Sequence, residues 1–540
     1  MSPLFAVLLA CQPDPGAGTE PTQPETPQAR SETPPEANAL APTLKRLTTP
    51  QYAHALRDLF GEGLVLPATL EPDQRIEGLY SVGAARTTIS SYGVEKYESA
   101  AYSVAEQVLT DPTRRDRWVG CTPTDIVDDA CAAEVLGPLG RLAWRRPLTT
   151  DELDTVVSLA DEAAAALGDF DAGLEFGIAA ILTSPHFLYR VEIGDDVDAP
   201  DGAYGNHEMA SRLSFFLWNT IPDEELLDAA GAGELTTDAG LEAQVDRMLA
   251  DERAREGVRA LYTEMLHLDE LDELNKDTLV FTYMRDTLGA SAREETLLGI
   301  EAMAFEDDSS YLELFTARRT FLDRELAALY DVPAPIPDGF GETWLPEDSG
   351  RQGFFGQASF LALNAHAVST SVTLRGIFVR EVLLCQKIPE PPANANTSIP
   401  EVDADSPTMR ERIAVHLEVE ECAACHRLTD PIGLGFENFD GLGRWRVTEN
   451  GARIDASGEL DGVGFPDGAA LGQTVADHPR TPGCMTRTAL QYATGALVEH
   501  LDTGLLDWHT LGFEGEGHRV LWLLRDVALS PAFRQVGEVE

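Results

Sequence analysis

Cys422-Ala423-Ala424-Cys425-His426 places two thiols and an imidazole at C-x-x-C-H spacing, at which both thiols can add to haem vinyl groups while the histidine ligates iron. One covalent haem c is the cofactor this spacing predicts, with His426 as the axial iron ligand. A C-x-x-C disulfide, half of a zinc site and chance are the alternatives. Zinc needs further ligands close by, and the next cysteine, Cys484, has no partner beside it. Thioredoxin-type chemistry expects a βαβ setting, whereas residues 409–421 are Glu-rich and read as helix.

The sixth iron position decides between electron transfer and reactivity, since a methionine closes the iron and an open site admits peroxide. Met485, downstream of the motif, is the first candidate and His416 the second, with His478 and His500 behind them. Arg444 and Arg446 suit haem propionates, because guanidinium matches carboxylate in bidentate fashion, and Trp445 suits the macrocycle edge. Their alternatives are surface ion pairs and a core aromatic. Glu437, Asp440 and Asp455 lie near the motif, where clustered carboxylates can bind calcium or act as general acid and base, but local clusters are expected in so acidic a chain and their spacing matches no calcium loop. Asp430-Pro431 and Gly433 are expected to shape the turn leaving the motif helix.

Such chemistry requires a compartment outside the cytoplasm. Residues 4–10 are apolar and run into Leu8-Leu9-Ala10-Cys11, which resembles a bacterial lipoprotein signal with Cys11 as the acylated residue. The stretch is too short to span a bilayer and lacks a basic start, so the true start codon is expected upstream. Gln12 after the cysteine points to the outer membrane, so the expected location is the cell envelope. An ordinary cleaved secretion signal is the alternative. Of seven cysteines, removing Cys11, Cys422 and Cys425 leaves Cys121, Cys131, Cys385 and Cys484. Proximity pairs Cys121 with Cys131 and leaves Cys385 for Cys484.

The elements that must position the motif belong to a long acidic chain. Ninety-one acidic against 40 basic residues give a formal charge of −51, with lysine only at Lys45, Lys96, Lys276 and Lys387. That field disfavours nucleic acid and anionic lipid as partners, leaving the N-terminal lipid anchor as the membrane contact and an unidentified redox protein as the partner. Residues 12–43, rich in Pro, Thr and Glu, read as a disordered tether. Thr49-Pro50 opens a helix carrying Tyr52, Leu56, Leu59 and Phe60, which Gly61 stops. Thr149 and Glu152 form a capping box. Arg145-Arg146 is expected to bridge local carboxylates, and Pro222-Asp223-Glu224-Glu225 opens another helix. Ser184-Pro185-His186-Phe187 and Ser530-Pro531-Ala532-Phe533 share similar local punctuation. Prolines at 333, 335 and 337, and at 389, 391 and 392, mark boundaries.

The resulting expectation is a mainly α, multidomain helical body with a C-terminal cytochrome-c-like haem module. The segments are a signal at 1–11, a tether at 12–43, helical units at 44–110, 121–195 and 200–332, a cytochrome-c-like domain at 347–455, and a C-terminal helical unit at 456–540. Strand-like pieces are expected around 453–466.

Arg46-Leu47-Thr48-Thr49-Pro50-Gln51-Tyr52, with Leu56-Arg57-Asp58-Leu59-Phe60-Gly61, resembles the opening domain of large exported planctomycete and myxobacterial proteins built from serial domains of unknown function. Trp144 to Thr149, Ser211 to Trp218 with Pro222-Asp223, and Arg375-Gly376 through Leu384-Cys385 resemble the same series. The most specific match is C-x-x-C-H followed by Asp430-Pro431-Ile432-Gly433, Phe436-Glu437-Asn438-Phe439-Asp440 and Gly443-Arg444-Trp445-Arg446, similar to that family's cytochrome-like domain. The resemblance implies an exported haem-binding protein and leaves its chemistry open.

Whether the chain is an enzyme is also open. Electron transfer by a monohaem protein competes with a peroxidase-like oxidoreductase, a hydrolase and a haem-free surface binding or scaffold lipoprotein. The single C-x-x-C-H argues against a di-haem peroxidase, and no G-x-S-x-G, H-E-x-x-H or P-loop pattern supports hydrolysis.

Overall fold

Helix caps punctuate the chain where the sequence carries Ser, Thr or Asp before an apolar period. In this computed structural model, which describes residues 30–67, 69–194, 199–389, 402, 405–418 and 420–537, the fold is mainly α. The helix Thr49–Phe60 starts one residue earlier than expected at its cap: Thr48 is the N-cap and forms a capping box with Gln51, and Gly61 ends the helix at φ 85°. Thr149 and Glu152 form the capping box of Thr150–Leu167, and Asp223 caps Glu224–Gly231. The two Ser-Pro segments become four-residue helices, Pro185–Leu188 and Pro531–Arg534, each burying its phenylalanine.

Sheet structure is confined to two-stranded antiparallel pairs. Thr43–Arg46 pairs with Tyr189–Glu192, placing Lys45 opposite Arg190. Near the C-terminal side, Thr448–Glu449 pairs with Ala452–Arg453 and Gly458–Leu460 with Val463–Phe465, where strand-like pieces were expected.

The helical units share cores. One apolar core draws on residues from Leu47 to Ile221 and includes Tyr52, Leu56, Leu59 and Phe60. A larger core draws on residues from Tyr204 to Val536 and takes in the helices on both sides of the motif. Between the cores lies a buried charge cluster. Glu192 forms ion pairs with Lys45 at 2.6 Å and with Arg212, with Arg190 at 3.8 Å. No helix among the described residues is long and apolar enough to cross a membrane.

Three expectations are corrected here. Arg145 bridges no carboxylate: its buried guanidinium donates to the carbonyls of Ala143, His186, Phe187 and Tyr189, closing a helix end that would otherwise bury bare acceptors. Arg146 does pair with Glu152, through two bonds of 2.8 Å. The expected tether is not uniformly separate from the body. Arg30 stacks 3.8 Å from Trp508 and pairs with Asp526 at 2.8 Å, and Leu40 bridges to Val536. Finally, 409–421 is not one helix: Met409–Ile413 gives way to the 3₁₀ turn Ala414–Leu417, and a separate helix carries the motif. The expected signal, Cys11, the tether's first part through residue 29, and Pro391 and Pro392 lie outside the described residues.

Candidate haem and metal site

Cys422, Cys425 and His426 fall in the helix Glu420–Gly433, where i, i+3 and i+4 share one face. Both thiols are half-buried and unbridged. The Cys425 Sγ lies 3.4 Å from the Pro389 carbonyl oxygen. The other four described cysteines are joined as Cys121–Cys131 and Cys385–Cys484, the pairing drawn from cysteine spacing.

His426 is held by a residue for which the sequence suggested only a turn. Its Nδ1 lies 2.8 Å from Asp430 Oδ2. A carboxylate only accepts, so Nδ1 is the donor in this contact, which in the neutral imidazole leaves the Nε2 lone pair for a metal. Asp430 is buried, and Thr373 donates to its Oδ1 at 2.9 Å. The signal was present in the sequence: His and Asp at i, i+4 meet on a helix. Pro431 and Gly433 likewise lie inside the helix rather than in a turn after it. Their role is packing. A Cβ at Gly433 would collide with the Val372 backbone, and one at Gly376 with the Thr429 backbone, so the two glycines let Val372–Phe378 lie directly on the motif helix.

His416, Asp430 and His426 present ligand atoms within 4.8 Å of one another, and the two imidazole centroids are 4.4 Å apart. Neither thiol belongs to this cluster, which weighs against a zinc site built from the C-x-x-C. For both imidazoles to hold one metal with bonds of about 2 Å, their centroids would have to separate by roughly 1–2 Å, and with that shift His416 could serve beside His426.

The remaining candidates have other contacts. Met485 is fully buried in the larger core on Arg480–Thr494, beside the bridged Cys484. His478 Nε2 lies 3.1 Å from Asp461, and His500 is near Glu499 and Arg86. The arginines expected at propionates are placed differently. Arg446 donates to the Glu437 carboxylate at 2.8 Å and to its carbonyl at 3.0 Å, because buried Glu437 needs cations beside it. Arg444 sets its guanidinium 5.4 Å from the Tyr283 ring centroid. Trp445 meets Phe439 edge-on at 5.0 Å and covers Gly350.

Arg375, which the resemblance included without a role, fixes the segment after the motif. Completely buried, it donates to the carbonyls of Leu361, Phe436, Phe439 and Asp440 and lies 3.6 Å from Glu437. Burial lowers its pKa to about 10, and burial raises that of Glu437 against the pull of Arg375 and Arg446. Asp440 accepts from the Leu442 and Arg444 backbones in a tight turn, and Asp455 accepts from Ser457. Both are loop-shaping residues in this arrangement, and neither belongs to the one group of three or more metal-ligating side chains among the described residues.

Two unbridged thiols thus share a helix face with an imidazole whose Nδ1 meets Asp430, the donor set a covalently held haem would use. Four family models match the chain in series. They are described as proteins of unknown function: PSD3 (DUF1587) at residues 45–110, PSD5 (DUF1595) at 131–192, PSD4 (DUF1592) at 205–332, and PSCyt3 (DUF1588) at 351–449. The last spans the motif helix, and the Cyt in its name points toward cytochrome-like proteins. No curated protein and no solved structure matches the chain.

Proposed function

We propose that this chain is an exported monohaem c-type protein that carries electrons at the cell envelope. The observation carrying this reading is the state of the cysteines. In a chain that bridges Cys121 with Cys131 and Cys385 with Cys484, the thiols of Cys422 and Cys425 remain unbridged on the face that carries His426. Two structural disulfides also suit an oxidising compartment. Bound haem would supply a one-electron iron couple. Cys422 and Cys425 would anchor it, His426 would ligate through Nε2, and Asp430 would hold the ring orientation. Lipidation at Cys11 and delivery to the outer membrane complete the proposal.

The test is a pyridine haemochrome spectrum and haem-stained denaturing gel on protein matured with a c-type assembly system. Covalent haem in the parent that is lost in Cys422→Ala/Cys425→Ala is the expected result. A folded parent without haem under those conditions sinks the redox reading and leaves a disulfide-braced protein with a binding role.

A further inference from the structure

An arginine-lined cleft is out of character for a chain with formal charge −51. Its cavity of about 520 Å³ receives Arg285, Arg324 and Arg444. Arg285 precedes the helix Leu288–Glu301, Arg324 begins Arg324–Tyr330, and Arg444 follows the motif helix. Three segments distant in sequence thus bring arginines to one cleft. Among the described residues none of the three forms an ion pair, although carboxylates outnumber basic residues by 91 to 40.

The cleft has one carboxylate of its own, Glu325, which accepts from Thr287 at 2.6 Å. Three guanidiniums against Glu325 in the lining and Asp440 behind Tyr283 leave the cleft net positive. Leu288 and Leu329 provide apolar wall, and Tyr283 lies beneath Arg444 with its hydroxyl committed to Asp440. The volume is in the range of small-molecule sites. Guanidinium presents paired N–H donors matched to the oxygens of phosphoryl, sulfuryl and carboxylate groups.

We propose that this cleft binds a small molecule carrying a doubly charged oxyanion, with its less polar part against Leu288 and Leu329. The site does not depend on haem. The three arginines line one cleft, while carboxylates elsewhere on the chain are screened beyond about 10 Å at moderate salt.

Calorimetric titration of the full chain with inorganic phosphate, sulfate and succinate tests the proposal, with and without attached haem. Saturable binding is expected, weakened about tenfold by each of Arg285→Gln, Arg324→Gln and Arg444→Gln and unchanged by Arg453→Gln at an exposed site elsewhere. Preference for phosphate or sulfate identifies a tetrahedral oxyanion as the ligand group, and preference for succinate a dicarboxylate. No saturable binding of any probe by the folded parent overturns the proposal, as does equal binding by the folded triple variant. Binding present only without haem also overturns it, because the arginines would then serve the propionates.

Discussion

The His426 imidazole and the Asp430 carboxylate meet at 2.8 Å, one helical turn apart, with Asp430 held in turn by Thr373. A carboxylate partner makes a ligating imidazole more electron-rich and favours the oxidised metal. Asp430→Asn should therefore leave covalent attachment intact and raise the haem midpoint potential. A tenfold change in relative stabilisation of the two oxidation states corresponds to about 59 mV for one electron, so a rise of that order is expected in a potentiometric titration. An unchanged midpoint would remove Asp430 from the positioning role.

The two disulfides differ in what they enclose. Cys121–Cys131 closes a separation of 10 residues, whereas Cys385–Cys484 spans 99 and contains the motif. Loop-closure entropy assigns about 2.7 kcal/mol to the first and about 4.7 kcal/mol to the second. Cys385→Ser/Cys484→Ser should lower stability in guanidinium unfolding more than Cys121→Ser/Cys131→Ser. The opposite order would show that native-state effects outweigh the unfolded chain.

Much of this architecture was legible because it depends on local chemistry. Thr149 with Glu152, Gly61 after its helix, Asp223 before Glu224, and both cysteine pairs follow from short patterns and from counting. The surroundings of the motif were less legible. Arg145 and Arg375 look like surface cations in sequence, yet each is buried against backbone carbonyls supplied by distant segments. The merging of expected helical units into shared cores is likewise a tertiary outcome, since an apolar helix face does not specify which other face will cover it. Asp430 was hidden for a different reason: an Asp-Pro pair normally reads as a turn, but here Pro431 is accommodated inside the helix.

Close helix approach at the motif yields a steric prediction. Gly376→Ala would drive a methyl group into the Thr429 backbone, which cannot rotate aside. A loss of about 1–3 kcal/mol is expected, together with reduced haem incorporation. Gly299→Ala is the control, because no atom lies within 4 Å of the added Cβ in the helix Leu288–Glu301. That change should stabilise by about 0.5–1 kcal/mol. Equal effects in chemical unfolding would show that the motif helix is not tightly seated.

Buried carboxylates give the stability profile two opposing slopes. Burial raises Glu264 and Glu295 from 4.5 to about 7. Between those values the folded state holds protons that the unfolded state has released, so their contribution is present below pH 4.5 and is lost as pH rises toward 7. Burial would also raise Glu192, but Arg212, Lys45 and Arg190 outweigh it and hold its pKa at about 2. Its contribution is present above 4.5 and disappears as pH falls toward 2. Glu264→Gln/Glu295→Gln should therefore flatten the loss between pH 4.5 and 7, by an amount on the order of 3 kcal/mol per site, while leaving the acid limb in place. Urea unfolding across pH 3 to 8 (about one unit per step) reads both limbs. If the double variant retains the parent slope above pH 4.5, the general repulsion of the acidic chain, rather than these two buried groups, sets that limb.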